Sequence, residues 1–311
     1  MTFQTDSTTW LIIGAGAIGL LWACKLQLAG HKVILINRHK VGKHTIDLID
    51  GTKITTLEIQ HSTPYELASN PGNRQFNQVL ICTKAFDQLA AYDQIKQQLS
   101  NDAFVISLCN GIGVQATIQT SLIKKHVLVV GTTSEGALKH SHSKVEKTGE
   151  GTSAFGFFEE KYNQSHTLPL ALQSFLEKNI MAKVLIKAII NAVINPLTAI
   201  NQVTNGTLLM KPLNEQALLA IEELFNLLKR PGFIQNNPSI KYLTITQESL
   251  TEIVFDVAKK TAKNKSSMLE DVRHQRQTEI DFISGFFINE AKKINVELPI
   301  QNTFFEQVTH I

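Results

Sequence analysis

Only three of the 311 residues are cysteine: Cys24, Cys82 and Cys109. The count is odd, no CxxC spacing occurs, and each thiol lies inside an apolar run. A disulfide framework and a zinc ribbon are excluded, and the chain suits a reducing cytoplasm. Charge is sparse too, at 18% of residues, and 30 Lys and Arg against 27 Asp and Glu leave +3. So even a balance gives no electrostatic footprint for nucleic acid, and no such partner is expected. With 43% hydrophobic residues the chain is too apolar for disorder. Wholly apolar runs long enough to span a membrane are also missing. Ser7–Cys24 comes nearest, but Asp6 precedes it where a secretory segment needs positive charge, and Gly14, Gly16 and Gly19 interrupt it. No membrane partner is expected, and the protein reads as soluble and cytoplasmic. His126, His140 and His142 lack metal-ligand spacing with Cys or Asp, so no metal is expected.

What is present divides the chain in two, as the length suggests. Thr9–Ile13 reads as a strand, Ile18–Ala29 as a helix ending at Gly30, and Lys32–Asn37 as a second strand. Gln78–Thr83, Ala103–Cys109 and His126–Gly131 are further short runs rich in Val, Ile and Leu. Runs of this kind suit strands covered on both faces, and the helices between them imply a parallel sheet. Thr45–Gln60, around Asp50-Gly51, reads as an irregular or hairpin insertion, and Lys144–Phe158 as the last hairpin of this half. From Asn179 helical spacing takes over in Met181–Ile194, Asn214–Lys229, Ile240–Asn264 and Met268–Lys293. Arg230-Pro231-Gly232 and Asn237-Pro238 read as loops between them. The expected fold class is α/β: an N-terminal Rossmann-type parallel-sheet domain, 1–178, followed by an all-helical C-terminal domain, 179–311.

Between the first strand and the first helix stands Gly14-Ala15-Gly16-Ala17-Ile18-Gly19, a G-x-G-x-x-G turn. Gly14 permits the tight turn, Gly16 lets a pyrophosphate approach the backbone, and Gly19 lets the helix pack closely on the strand. The N–H groups at the helix start then face the phosphates. The bland alternative is a glycine-rich structural turn, but the flanking strand, helix and second strand all fall where the motif requires. At the end of the second strand an NAD site usually carries Asp or Glu for the ribose hydroxyls. This chain has Asn37-Arg38-His39-Lys40 there. A guanidinium can bind a 2′-phosphate with paired hydrogen bonds, so Arg38 points to NADP(H), unless it is simply a solvated loop cation.

Lys187, Asn191 and Asn195 recur at i, i+4 and i+8, an arc of about 80° on one helical face. The residues between them are nearly all apolar. Burying an ammonium and carboxamides is costly unless something pairs with them. A substrate could do so, and so could a polar seam against other parts of the protein. Lys183, one turn earlier, is a rival cation or a neighbour able to lower the Lys187 pKa.

With these residues in view the chain resembles the ketopantoate reductase (2-dehydropantoate 2-reductase) family over nearly its whole length. The matching elements are GAGAIG at 14–19, TKA at 83–85, NGIG at 110–113, GTT at 131–133, KxxxNxxxNPLTA at 187–199 and SSMLEDVxxxRxTEID at 266–281. The resemblance implies NADPH-dependent reduction of 2-dehydropantoate to (R)-pantoate in pantothenate and coenzyme A biosynthesis. It implies Lys187 as proton donor and Asn110, Asn191, Asn195, Asn205 and Ser267 as substrate-binding residues. It implies Gly14, Ala15, Gly16, Ala17, Ile18, Gly19, Arg38, Lys84, Asn110, Ala137 and Glu279 as cofactor-contacting residues. Ser134-Glu135-Gly136 departs from the pattern, because an acidic segment is unexpected beside the cofactor, and this bears on Ala137. On charge pattern alone Glu279, after Glu270, Asp271, Arg273 and Arg276, reads as a solvated helix face. The resemblance makes it instead a group that orients Lys187 or a cofactor hydroxyl, and leaves its neighbours at the surface. Ser266 or Ser267 is expected to cap the long helical pattern that follows. Two other readings stay open: a reductase of another 2-keto acid, and a non-catalytic NADPH-binding sensor. A homodimer is compatible with the apolar helix Met181–Ile200.

Overall fold

The structure is a computed structural model that describes residues 9–69, 75–123 and 125–311. Asp6 and Ser7, used above to read the N-terminal uncharged run, lie outside the described residues. The chain divides into two compact units, one of Met1–Cys109 and Val114–Ile180, the other of Asn110–Gly113 and Met181–Ile311.

Among the described residues the first unit has ten strands: β1 (Thr9–Ile13), β2 (Lys32–Ile36), β3 (Gly42–Asp50), β4 (Lys53–Ser62), β5 (Phe76–Ile81), β6 (Leu99–Leu108), β7 (Val127–Thr133), β8 (Gly136–Ser141), β9 (Lys144–Gly149) and β10 (Ser153–Phe157). They form one sheet in the order β10-β7-β6-β5-β1-β2-β4-β3-β9-β8. The block from β7 to β4 is parallel. Every residue of β1 and of β7 is buried, which is why these strands read as unbroken apolar runs rather than alternations. The Rossmann-type parallel sheet is thus present, but inside a mixed sheet, because β3–β4, β8–β9 and β7–β10 pair antiparallel.

The insertion around Asp50-Gly51 is a hairpin. Asp50 pairs with Lys53, and Gly51 takes the left-handed φ of +61° that the two-residue turn needs. The expected hairpin over Lys144–Phe158 does not form. β9 pairs with β8 and β3, whereas β10 pairs with β7 at the opposite end of the sheet. Gly151 serves a close approach there and makes no turn: a Cβ on it would stand 2.4 Å from the backbone of Ser134 and Glu135. The tight turn is His142-Ser143, between Ser141 and its partner Lys144.

Among the described residues this unit has five α-helices: α1 (Ala17–Leu28), α2 (Pro64–Ser69), α3 (Gln88–Asp93), α4 (Val114–Ser121) and α5 (Tyr162–Ser165). α1 packs against β1 to β4 and also against β8 and β9, which pass over its other side. A helix walled on its sides must be largely apolar all round, as its sequence AIGLLWACKLQL is apart from Lys25 and Gln27.

The second unit contains α6 (Ile180–Asn201), α7 (Leu213–Leu228), α8 (Pro231–Asn236), α9 (Gln247–Lys260), α10 (Ser267–Arg273), α11 (Ser284–Lys293) and α12 (Pro299–Thr309), with no strand among the described residues. Three boundaries differ from expectation. Arg230-Pro231-Gly232 starts α8 with its proline at the first helical turn, where the missing N–H costs nothing. Ile240–Asn264 is the end of a 3₁₀ turn, Pro238–Tyr242, followed by α9. Met268–Lys293 is two helices separated by residues 274–283, not one.

α6 runs on through Pro196. That proline has no N–H for the carbonyl of Ala192 four residues back. Gln301 of α12, fully buried, donates its side-chain Nε2 to that oxygen at 3.3 Å. With 22 residues and a mean hydropathy of 1.6, α6 is long and apolar enough to cross a membrane, yet 67% of that stretch is buried inside the protein, as in a core helix.

Candidate active site

In the first unit the glycine turn is made of backbone. Gly14 has φ +104°, and a Cβ there would lie 2.7 Å from Cys82 C and Thr83 N. A Cβ on Gly19 would lie 1.8 Å from the Gly14 carbonyl oxygen, whereas one on Gly16 would meet nothing within 4 Å. Two of the three glycines are therefore required by the chain itself. The third leaves open space in front of a helix whose N-terminus, at Gly16, has no side-chain cap. Open backbone at an uncapped helix start fits a pyrophosphate. Ala15 and Ile18 rest on the core below, and Ala17 is half-buried at the start of α1.

Arg38 is exposed in the turn after β2. Asn37 shapes that turn: its Oδ1 accepts from the backbone N of His39 at 3.0 Å and of Lys40 at 2.6 Å. Its Nδ2 lies 3.2 Å from Nδ1 of His61 in the neighbouring β4. Burial, with the charges of His44 and Lys40, lowers the His61 pKa from 6.5 to about 4, so the ring stays neutral and Nδ1 can accept.

Lys84 is half-buried just after β5, and Ala137 is half-buried on β8 against the core around α1. The acidic departure at Glu135 is satisfied locally. Burial alone would raise its pKa, but hydrogen bonds from Lys25, at 2.7 and 2.9 Å, and from Ser153 and Thr133 more than offset that and hold the carboxylate charged. Lys139 was not singled out in the sequence, yet its Nζ donates to the Ala15 carbonyl at 2.8 Å, inside the glycine turn.

In the second unit Lys187, Asn191 and Asn195 lie along α6, the first two half-buried and the third buried. Lys183 is exposed. Lys187 Nζ donates to Asn110 Oδ1 at 2.9 Å. Asn110 opens the short Asn110–Gly113 stretch, which is held in this unit by Ile112 N donating to Phe282 O at 2.9 Å. Gly113, at φ +96°, would bring a Cβ within 3.0 Å of the Phe286 ring.

Asn205, 7% exposed, donates Nδ2 to Thr261 Oγ1 at 2.9 Å and leaves its buried Oδ1 without a hydrogen-bond partner. Ser266, not Ser267, is the N-cap of α10: its Oγ accepts from Leu269 N at 3.1 Å and lies 2.7 Å from Thr198 Oγ1 near the end of α6. Ser267 is exposed.

In this charge run Asp271 departs from its expected surface position, and Glu279 departs only from the reading on charge pattern alone. Glu279 is 4% exposed, at the start of the 3₁₀ turn Ile280–Phe282 in the break between α10 and α11. Asp271 is 3% exposed and holds Arg276 Nε at 3.1 Å. Glu279 lies in the break between the helices and Asp271 on the buried side of α10 itself. Among the described residues no group of three or more His, Cys, Asp or Glu could hold a metal ion.

Two family models match the chain: ketopantoate reductase PanE/ApbA over residues 10–160 and its C-terminal counterpart over 179–311. A 2-dehydropantoate 2-reductase of Pyrococcus horikoshii is 31% identical, over 93% of this chain and 92% of its own. Another from Vibrio cholerae is 28% identical over 96% of each. Among solved structures, D-mandelate dehydrogenase with NADH and anilino(oxo)acetate matches at a TM-score of 0.83 with 20% identity, covering 97% of each chain, a likeness of fold.

Proposed function

Because the chain belongs to the ketopantoate reductase family, we propose that this oxidoreductase catalyses the NADPH-dependent reduction of 2-dehydropantoate to (R)-pantoate. The observation that carries the reading is the 2.9 Å hydrogen bond from Lys187 to Asn110. It distinguishes the ladder lysine from Lys183, which is exposed, and ties it to the motif that directly follows β6. Strand ends of this kind are where ligands bind in open parallel sheets.

Gly14 to Gly19, Lys84 and Ala137 would hold the dinucleotide, and Arg38 its 2′-phosphate. When bound, NADPH supplies a hydride to the ketone carbon. The negative charge that this leaves on the carbonyl oxygen is met by the ammonium of Lys187, which stabilises it and transfers its proton to that oxygen. Lys187 is then neutral and recovers a proton from water. Asn110, as an acceptor, fixes the direction of the amine. Asn191 and Asn195, each one turn further along the same face, offer carboxamides to substrate hydroxyls. The buried, unpartnered Oδ1 of Asn205 suits a hydroxyl donor as well. Ser267, exposed at the first turn of α10, is assigned to the substrate carboxylate, and buried Glu279 to orienting Lys187 or a cofactor hydroxyl.

The test is NADPH oxidation with ketopantoate on wild type and Lys187→Ala. Wild type should turn over, and the variant should lose on the order of 10³-fold in kcat/KM, about 4 kcal/mol, while still binding NADPH. Undiminished activity in Lys187→Ala would remove the proton-donor role. Wild-type turnover with pyruvate or a 2-ketoisovalerate analogue but none with ketopantoate would move the enzyme to another 2-keto acid.

A further inference from the structure

We propose that Lys139, on the β8–β9 hairpin, is a second ligand for the adenosine 2′-phosphate, facing the group that Arg38 approaches from the turn after β2. The proposal rests on the NADPH reading above.

It starts from where the ammonium stands. Lys139 Nζ donates to the Ala15 carbonyl at 2.8 Å and lies 3.4 Å from His142 Nδ1. An ammonium has three donors, and these contacts engage two. The hairpin thus places a full positive charge on the middle of the glycine turn, beside the uncapped start of α1.

That charge is not isolated. Burial, followed by the charge of Lys40, holds the Lys139 pKa below the ordinary lysine range. Lys139, Lys40 and His39 likewise lower that of His142. Lys40 and His39 belong to the turn that carries Arg38, and that turn follows Ile36, the partner of Ile13 just before the glycine turn, so Lys139 at Ala15 and the 37–40 turn stand at neighbouring strand ends. Among the described residues no carboxylate ion-pairs with Lys139, Lys40, His39 or Arg38. Elsewhere in the same unit buried charge is paired, as Lys25 is with Glu135.

Converging like charges cost energy unless an anion offsets them. The pyrophosphate is served by backbone N–H groups at Gly16. A phosphate monoester carries nearly two charges at neutral pH and is the better counterpart for side-chain cations. The ribose bearing it belongs at the end of the second strand, which is paired with the strand that leads into the glycine turn where Lys139 rests.

The experiment is fluorescence titration of NADPH and NADH against wild type, Lys139→Gln, Lys139→Met and Arg38→Ala. Glutamine can keep a donor for the Ala15 carbonyl while removing the charge; methionine removes both. Wild type should prefer NADPH, and Lys139→Gln should weaken NADPH about 10-fold while changing NADH less than about 2-fold. Lys139→Arg should restore the preference. If both Lys139 variants keep the wild-type NADPH/NADH ratio while Arg38→Ala loses it, Lys139 only props the glycine turn and the proposal falls alone. If wild type binds both nucleotides equally, the NADPH reading and this proposal fall together. Should Lys139→Met fail to fold, Lys139→Gln decides.

Discussion

The two units make their functional surfaces from different materials. In the first, the candidate cofactor turn is backbone: a left-handed Gly14, a Gly19 that admits no Cβ, and open space at Gly16. In the second, the candidate chemistry is carried by side chains on one apolar helix, with Lys187 directed at Asn110. A surface made of backbone is broken by adding atoms, and one made of side chains by removing them. The Lys187→Ala truncation tests the second kind. Three further experiments separate the two.

The largest effect is expected at Gly19. A methyl there would sit 1.8 Å from a carbonyl oxygen that cannot rotate away, so Gly19→Ala should cost about 3 kcal/mol or more and abolish NADPH binding. Gly16→Ala, in open space, should melt within a few degrees of wild type and lose only nucleotide affinity. Thermal melts with NADPH titration check both. Identical melting of Gly19→Ala and wild type would refute the account of the turn.

Acid should separate the units next. His61 has a folded-state pKa of about 4 against an ordinary 6.5. The unfolded chain therefore takes up its proton first, and stability present above pH 6.5 is lost as pH falls towards 4. The integral is on the order of 3 kcal/mol. Glu135, lowered by its partners, adds a loss below its ordinary 4.5. In the second unit the sign is opposite. Burial raises the pKa of Glu223, despite the hydrogen bonds it accepts from Ile300 N and Gln301 N. Its contribution is fullest below 4.5 and is lost as pH rises through its raised value. Hydrogen exchange at pH 7 and 5 should show the amides of β2 and β4 losing protection while those of α7 and α12 keep theirs. Equal loss in both would overturn the assignment.

The smallest effect is at Gln301. Gln301→Leu should uncover the Ala192 carbonyl that Pro196 cannot serve and lower stability by about 1–2 kcal/mol, read as a denaturant midpoint. No change would mean that another group satisfies that oxygen.

Legibility varied within each unit. β1, α1 and β2 fall within a residue of their expected bounds because three glycines and two short, largely apolar strands mark them. The parallel block was legible for the same reason. The β8–β9 pairing was not: both strands are half-exposed and polar, and the partner of β9 is set by the sheet edge at β3, far away in sequence. The i, i+4, i+8 ladder was readable from spacing. The break between α10 and α11 was not, because its charges mimic an exposed helical face. Asp271 and Glu279 are both buried. Lys139 left no local signal at all, since its partner Ala15 lies 124 positions earlier.

The walls around α1 carry a last consequence. From Ala17 to Gln27 no residue is exposed, and the β8–β9 strand pair is tied to it at both ends, by Lys139 to Ala15 and by Glu135 to Lys25. Inserting or deleting one residue there would rotate every later side chain by about 100° into a neighbour already in place. Length variation among proteins of this type should therefore avoid the stretch from residue 14 to 28 and collect at the solvent-facing Gly51 tip of β3–β4, where nothing lies within 4 Å of an added Cβ.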